Sequence, residues 1–484
     1  MADKAPPPKP LFQQIMEDAK LGRDPEHKAH ALDMLNEFIT QATAAAATAG
    51  KESVTFIQKR IDEMDQQLSK QLDALLHNEK LQKIEATWRG LAYLVMNTET
   101  SIHLKLRLMN ISKDELREDL EKAIEFDQSA LFKKVYEEEY GTFGGHPYSA
   151  LMVDFEFDAT SPDMSLVDKL SHVAAAAHAP VLAAADPTMF NLDSYADLGK
   201  PRDLAKIFES ADKIKWKSFR DVEDSRYMAL CLPKVLMRLP YGPETLPVHG
   251  INYEEVVDGK TLTTFVWGNP AYMLAQRVTN AFALYGWTAA IRGVEGGGLV
   301  EGLPSYTFKT TEGDIALKCP TQIAITDRRE KELSDLGFIS LCHCKGTDKA
   351  AFFGGQTSQK PKKYNLDTAT SNANLSARLP YIMAASRFAH YIKVIMRDKV
   401  GSFMSRVEVQ KYLQTWISEY VLLTDEAPQT LKAKFPLREA RIDVFDVPGN
   451  PGKYRATVFL RPHFQLEELT ASLRLVAELP PPAK

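Results

Sequence analysis

KDELREDLEKAIEFDQSALFKKVYEEEYGTFGGHPYSALMVDFEF, residues 113–157, decides the fold class. Lys113 to Tyr140 has helical spacing, Gly141 to Pro147 reads as a loop, and Ser149 to Phe157 is apolar enough for a buried strand. Helices alternating with buried strands predict a mixed α/β core. Just upstream, Ile102, Leu104, Leu106 and Leu108 alternate with His103, Lys105 and Arg107, the period-two signature of a half-buried strand.

Before residue 100 the pattern is helical. Leu81, Ile84, Trp88, Leu91 and Leu94 continue a periodicity that starts at Ser53, with a break near His77 and Asn78. Val54, Ile57, Ile61, Met64, Leu68, Leu72 and Leu75 recur at spacings of three and four, which makes one long amphipathic helix whose stripe needs a neighbour. A shorter helical pattern with Ala31, Leu32, Leu35, Phe38 and Ile39 precedes it and ends by Gly50. After the proline-rich start, Leu11, Phe12, Ile15 and Met16 form the apolar side of a further short helix, suited to a partner's groove or to its own chain.

Downstream, Asn269 to Tyr285 is a helix feeding the glycine-rich loop Gly293 to Gly302. Strand-like runs follow at Ile315 to Leu317, Gln322 to Thr326 and Gly337 to Cys344. The polar stretch Gly354 to Asn374 is taken as a domain boundary. Beyond it lie two helical patterns, about Ala377 to Val400 and Arg406 to Leu423, and then two strands, Arg441 to Val447 and Tyr454 to Arg461. A Pro-Gly-Asn-Pro-Gly cluster between these strands reverses the chain. Leu469 to Leu479 alternates as a last strand. The expected divisions are a helical arm (1–80), a central α/β domain (81–365) and a C-terminal domain with open β edges (366–484).

Composition narrows the function. The chain has 484 residues, 44% of them hydrophobic, enough for two or three domains. With 59 Lys+Arg against 64 Asp+Glu the formal charge is -5, so no bulk field draws it to nucleic acid or membrane. The first residues lack a secretory pattern, and no apolar run approaches the ~20 residues of a bilayer span. Four cysteines do not make a secreted disulfide framework, so a reducing cytoplasm is expected.

Each candidate chemistry has a stronger structural reading. In Cys342-His343-Cys344 a strand would place the two sulfurs on one face and the imidazole on the other, which disfavours a shared metal ion. Gly293-Val294-Glu295-Gly296-Gly297-Gly298 lacks the Lys-Ser/Thr of a phosphate loop and carries Glu295 and Glu301. Asp327-Arg328-Arg329-Glu330 reads as structural ion pairs. His172 and His178 are spaced wrongly for a helical metal pair, and Lys360, Lys362, Lys363 and Tyr364 read as a solvated loop. No metal, cofactor or catalytic residue is assigned.

Several blocks resemble a known family. KIEATWRGL (83–91), EFDQSALFKKVYEEEYGTFGG (125–145), AIRGVEGGGLVEGLP within 268–304, DRREKELSDLGFISLCHCKGT (327–347), ARLPYI (377–382) and LRPHFQLEELTASLRLVAELP (460–480) are similar to the large subunit of the type VI secretion contractile sheath, the VipB/TssC family. The resemblance covers about Leu81 to Pro480, and more loosely LFQQIMEDAKL (11–21).

It implies a phage-tail-sheath-like structural protein, not an enzyme. Such a subunit pairs with a small sheath subunit (VipA/TssB type), stacks with copies of itself around an inner tube protein on a baseplate, and contracts. It also implies that Leu11, Phe12, Ile15 and Met16 are offered to the AAA+ ATPase that recycles contracted sheaths. Ile442, Val444, Tyr454, Ala456, Val458 and Leu460 would then belong to strands shared between protomers. We expect Val54, Ile57, Ile61, Met64 and Leu68 to bind the small subunit, and Glu408, Lys411 and Gln414 to face the inner tube. The other readings open to the residues are a nucleotide-dependent enzyme using the glycine loop and a cytoplasmic adaptor that never polymerises.

Overall fold

Asn78 divides the long helical run, because its side chain accepts the Lys80 N–H at 3.1 Å and starts a new helix. The computed structural model describes residues 25–46, 53–310, 312–424, 426–449, 453–463 and 465. The expected helix of Leu11, Phe12, Ile15 and Met16 and the run Leu469 to Leu479 lie outside them. The described chain begins with α1 (Pro25–Ala46), α2 (Ser53–Leu76) and α3 (Glu79–Met96).

The helical reading of Lys113 to Tyr140 resolves into pieces. Helix α4 (Lys113–Lys122) opens with a capping box between Ser112 and Glu115. After a break, Ala130–Phe132 runs into a wide π-helical segment, Lys133–Gly141. Strand β1 (Leu151–Phe157) follows, then α5 (Ser161–Ala177), β2 (Val181–Ala185), β3 (Met228–Leu232), β4 (Val235–Leu236), β5 (Trp267–Gly268) and α6 (Ala271–Tyr285). The chain continues with β6 (Leu299–Val300), β7 (Tyr306–Lys309), β8 (Ile315–Lys318), β9 (Phe338–His343) and β10 (Ala350–Phe352). Helices α7 (Leu379–Lys399) and α8 (Arg406–Ser418) lead to the hairpin β11 (Leu437–Asp446) and β12 (Tyr454–Pro462).

Two units are distinguished. Among the described residues, the first comprises those up to Leu76 with 240–256, and the second 77–239 with those from Val257 onward. In the first, the 240–256 segment bonds to α2: the Tyr253 hydroxyl donates to Asp73 at 2.7 Å and the Asn252 N–H to Asp65 at 3.3 Å.

The second unit is built on a six-stranded sheet in the order β1-β2-β3-β9-β10-β6. Its first four strands are parallel, and β10 runs antiparallel to both of its neighbours, β9 and β6. The central strands are continuous apolar runs because both sheet faces are covered. Val181, Ala183 and Ala185 face one core with Leu170 and Val173 of α5, and Leu182 faces the other with Tyr272 and Leu274 of α6. On this second face a Cβ at Gly90 of α3 would lie 2.4 Å from the Tyr272 ring, so close packing there excludes larger residues. A third core joins Trp287 and Phe388 to Leu413 and Ile417 of α8 and to Ile442 and Val444 of β11.

Two sequence expectations fail. Ile102 to Leu108 forms no strand, and Ile102, Leu106 and Leu108 are exposed. The alternation is real, but a strand exists only where a second strand offers its edge, and none among the described residues does. Gln322 to Thr326 is not a strand either: pairing there stops at a bridge from Thr321 to Val235 and a bond from the Gln322 N–H to the Lys234 carbonyl. At the start of the polar stretch Gly354 to Asn374, Gln356, Thr357 and Ser358 are buried and the Thr357 N–H bonds to the Ala377 carbonyl.

Candidate assembly surfaces

Helix α2 exposes an apolar stripe. At ~100° per residue, Asp65, Ser69 and Asp73 fall on one side of the helix and Ile61, Met64, Leu68 and Leu75 on another. The first side is held by the 240–256 segment through Asp65 and Asp73. On the second, Ile61, Met64 and Leu68 are 40%, 44% and 48% exposed. Val54 and Ile57 lie on the same helix, with side chains outside the described set.

Helix α3 carries a second open stripe that the sequence pattern alone did not mark as surface. Its inner side is Ala86, Gly90 and Leu94, while Leu81, Ile84, Trp88 and Val95 recur on its outer side, with Trp88 64% exposed. Glu85 anchors the helix by accepting from Arg89 and from the buried Arg238, each at 2.7 Å. The signal available in the sequence was Trp88 itself, a large ring at the centre of KIEATWRGL.

The hairpin presents backbone edges unequally. Ile442 pairs with Val458, Val444 with Ala456, and Ala440 with Leu460. Ile442 and Val444 are buried, Tyr454, Val458 and Leu460 pack on the same core, and Ala456 is exposed. The free edge of β11 is already bonded. The Ile442 N–H donates to Gln414 Oε1 at 3.0 Å, Gln414 Nε2 donates to the Ala440 carbonyl at 3.1 Å, and Arg406 donates to the Val444 carbonyl at 3.1 Å. Gln414 is therefore an edge clamp and not a free polar position on α8. Glu408 caps its own helix through Ser405, and Lys411 is exposed. Strand β12 has no second neighbouring strand among the described residues.

The rejected chemical sites keep structural partners. The Gly293 N–H donates to the Phe352 carbonyl at 2.7 Å and the Gly298 N–H to the Gly293 carbonyl at 2.8 Å, which ties the loop to β10. Arg328 and Arg329 both pair with Glu332. His172 meets Asp224 and His178 meets the Tyr227 hydroxyl, at 2.8 and 3.0 Å, two separate contacts. Among the described residues no group of three metal-binding side chains gathers, and no helix is long and apolar enough to cross a membrane.

The VipB family's "EvpB/VC_A0108, tail sheath N-terminal domain" matches residues 58–359, and its "EvpB/VC_A0108, tail sheath gpW/gp25-like domain" matches residues 368–479. The chain belongs to the VipB tail-sheath family. It is 49% identical over 435 residues to the type VI secretion system sheath protein TssC1 of Pseudomonas aeruginosa PAO1, covering 89% of this chain and 87% of that protein. Solved structures of the anti-feeding prophage baseplate and of its contracted helical sheath align with TM-scores of 0.35 and 0.31 at 12% and 13% identity. Those alignments cover 65% of this chain each, and 67% and 68% of theirs. As a VipB-family member the chain is a structural sheath subunit of a contractile injection system and not an enzyme.

Proposed function

We propose that this chain is the large partner of a sheath heterodimer, assembling with a small sheath subunit through α2 and with copies of itself through the C-terminal hairpin. The observation that carries the reading is the stripe of Ile61, Met64 and Leu68, left exposed although the adjacent side of the same helix is bonded within its own unit. The dimers stack around an inner tube above a baseplate in the cytoplasm, and a metastable extended lattice drives the stroke. Strand sharing is favoured at β12, because Gln414 and Arg406 already occupy the edge of β11. Backbone pairing of this kind persists while subunits pivot, since it requires no single rigid side-chain interface.

The test is co-purification with a co-expressed small subunit. Ile61→Asp, Met64→Asp and Leu68→Asp each place a charge on the stripe and are expected to abolish capture while leaving the chain folded. Undiminished capture of the small subunit by all three would remove α2 as its binding surface.

A further inference from the structure

Ser101 turns the chain after α3: its N–H donates to the Leu104 carbonyl at 2.9 Å, and its hydroxyl accepts the His103 and Leu104 N–H groups at 3.2 and 3.1 Å. From Leu104 to Ser112, which caps α4, there is no helix, turn or bend. The segment is nevertheless fixed. Arg107 donates to Glu139 and, at 3.2 Å, to the Tyr148 hydroxyl, and the same Glu139 side chain accepts the His146 N–H at 2.7 Å. Ile111 packs on the first core. Yet no backbone N–H or carbonyl from Lys105 to Asn110 bonds to a described residue. Consecutive unpaired donors and acceptors, anchored at both ends and in the middle, are one edge of a sheet that the chain alone does not complete.

The side chains define what completes it. Ile102 and Leu108 are 80% and 71% exposed, Leu106 is exposed between them, and His103, Lys105 and Arg107 alternate with this apolar row. A docked helix would cover the row and leave the backbone groups unbonded, whereas a second strand satisfies both. Glu139 already pairs with Arg107, while Lys105 has no acidic partner among the described residues, so the fitting strand places a carboxylate opposite Lys105. A copy of this chain does not offer one from its open edge. There β12 turns Arg455, Thr457, Phe459 and Arg461 away from its core, two cations and no acid.

We propose that residues 102–110 are the docking edge for one β-strand of the small sheath subunit, an extended segment with apolar residues opposite Ile102, Leu106 and Leu108 and an Asp or Glu opposite Lys105. This rests on the heterodimer proposed above and adds a main-chain contact to the α2 stripe. The alternation at 102–108 then describes a strand of the assembled protein and not of the chain by itself.

Residue-resolved hydrogen exchange of the full-length chain, alone and in complex with the co-purified small subunit, tests this. Pairing with one neighbour bonds every second amide, so alternate amides between Lys105 and Asn110 are expected to exchange at least ~10-fold slower in the complex, with those between them little changed. Lys105→Pro and Leu106→Pro carry the test to affinity, because one of these adjacent N–H groups must face the partner: one variant is expected to bind at least ~10-fold more weakly. Lys105→Glu is expected to weaken binding about fivefold. Slow exchange in β2 shows that each variant is folded. A complex that forms with unchanged or uniformly slowed exchange along the segment overturns this edge and leaves the heterodimer standing, as does full affinity in both folded proline variants. Protection that grows with the concentration of the chain alone means that a copy fills the edge, and also overturns it. Failure of the unsubstituted chain to capture the small subunit at all overturns the heterodimer and this edge together. If both proline variants unfold, the exchange pattern of the unsubstituted complex decides.

Discussion

His390 is buried in the middle of α7, with its Nε2 2.8 Å from the Ala177 carbonyl and the ring edge-on to Tyr140. Burial pushes it down from 6.5 to about 4, and the neighbouring cations Arg387 and Lys393 and the His178 ring act in the same direction. The folded chain therefore holds this ring neutral where the unfolded chain protonates it. The stability it contributes is present above about 6.5, the unfolded value, and is lost as pH falls toward about 4. His390→Gln is expected to flatten the fall in stability across that window, read from denaturant midpoints. Parallel curves for the two proteins would show that this histidine is not the titrating group. Such a role was not legible beforehand, because sequence shows a histidine among apolar residues but not which carbonyl meets its ring. Trp88 gives the converse case: spacing places it on an apolar face, but spacing does not tell whether the chain's own residues cover that face.

Among the elements, the hairpin best separates what pattern dictates from what packing adds. The turn cluster and the flanking alternation placed β11 and β12 closely, since both signals are local. The clamp on β11 joins residues 414 and 442, and no local signal announces it. Gln414→Ala removes both amide bonds and leaves the Ile442 N–H without its acceptor, a cost of about 1–3 kcal/mol. Hydrogen exchange at the Ile442 amide is expected to accelerate, with Phe388 and the rest of the third core still folded. Exchange as slow as in the unsubstituted chain would show that the clamp does not hold the edge. The runs at 102–108 and 322–326 fail for the same reason that the clamp was missed. A strand needs its neighbour, and alternation describes only one side of the pair.

For the whole molecule, the α/β class was readable because the six-stranded sheet is fed by consecutive helices and strands with clear periodicity. In the Cys342-His343 pair, alternation separates the ring from the buried Cys342 thiol, but that the ring meets the Thr347 carbonyl arises only from the folded chain. At this scale the N-terminal segment is predicted to act apart from assembly. Deleting residues 1–21 should leave sheath formation intact and abolish disassembly by the recycling ATPase, and undiminished disassembly of the truncated sheath would exclude Leu11, Phe12, Ile15 and Met16 as its signal. The central claim is that open apolar and backbone surfaces make this chain a polymerising sheath subunit. Electron microscopy of the chain co-expressed with the small sheath subunit tests it most directly: the account predicts helical tubules, and dispersed complexes, as a non-polymerising adaptor would give, would contradict it.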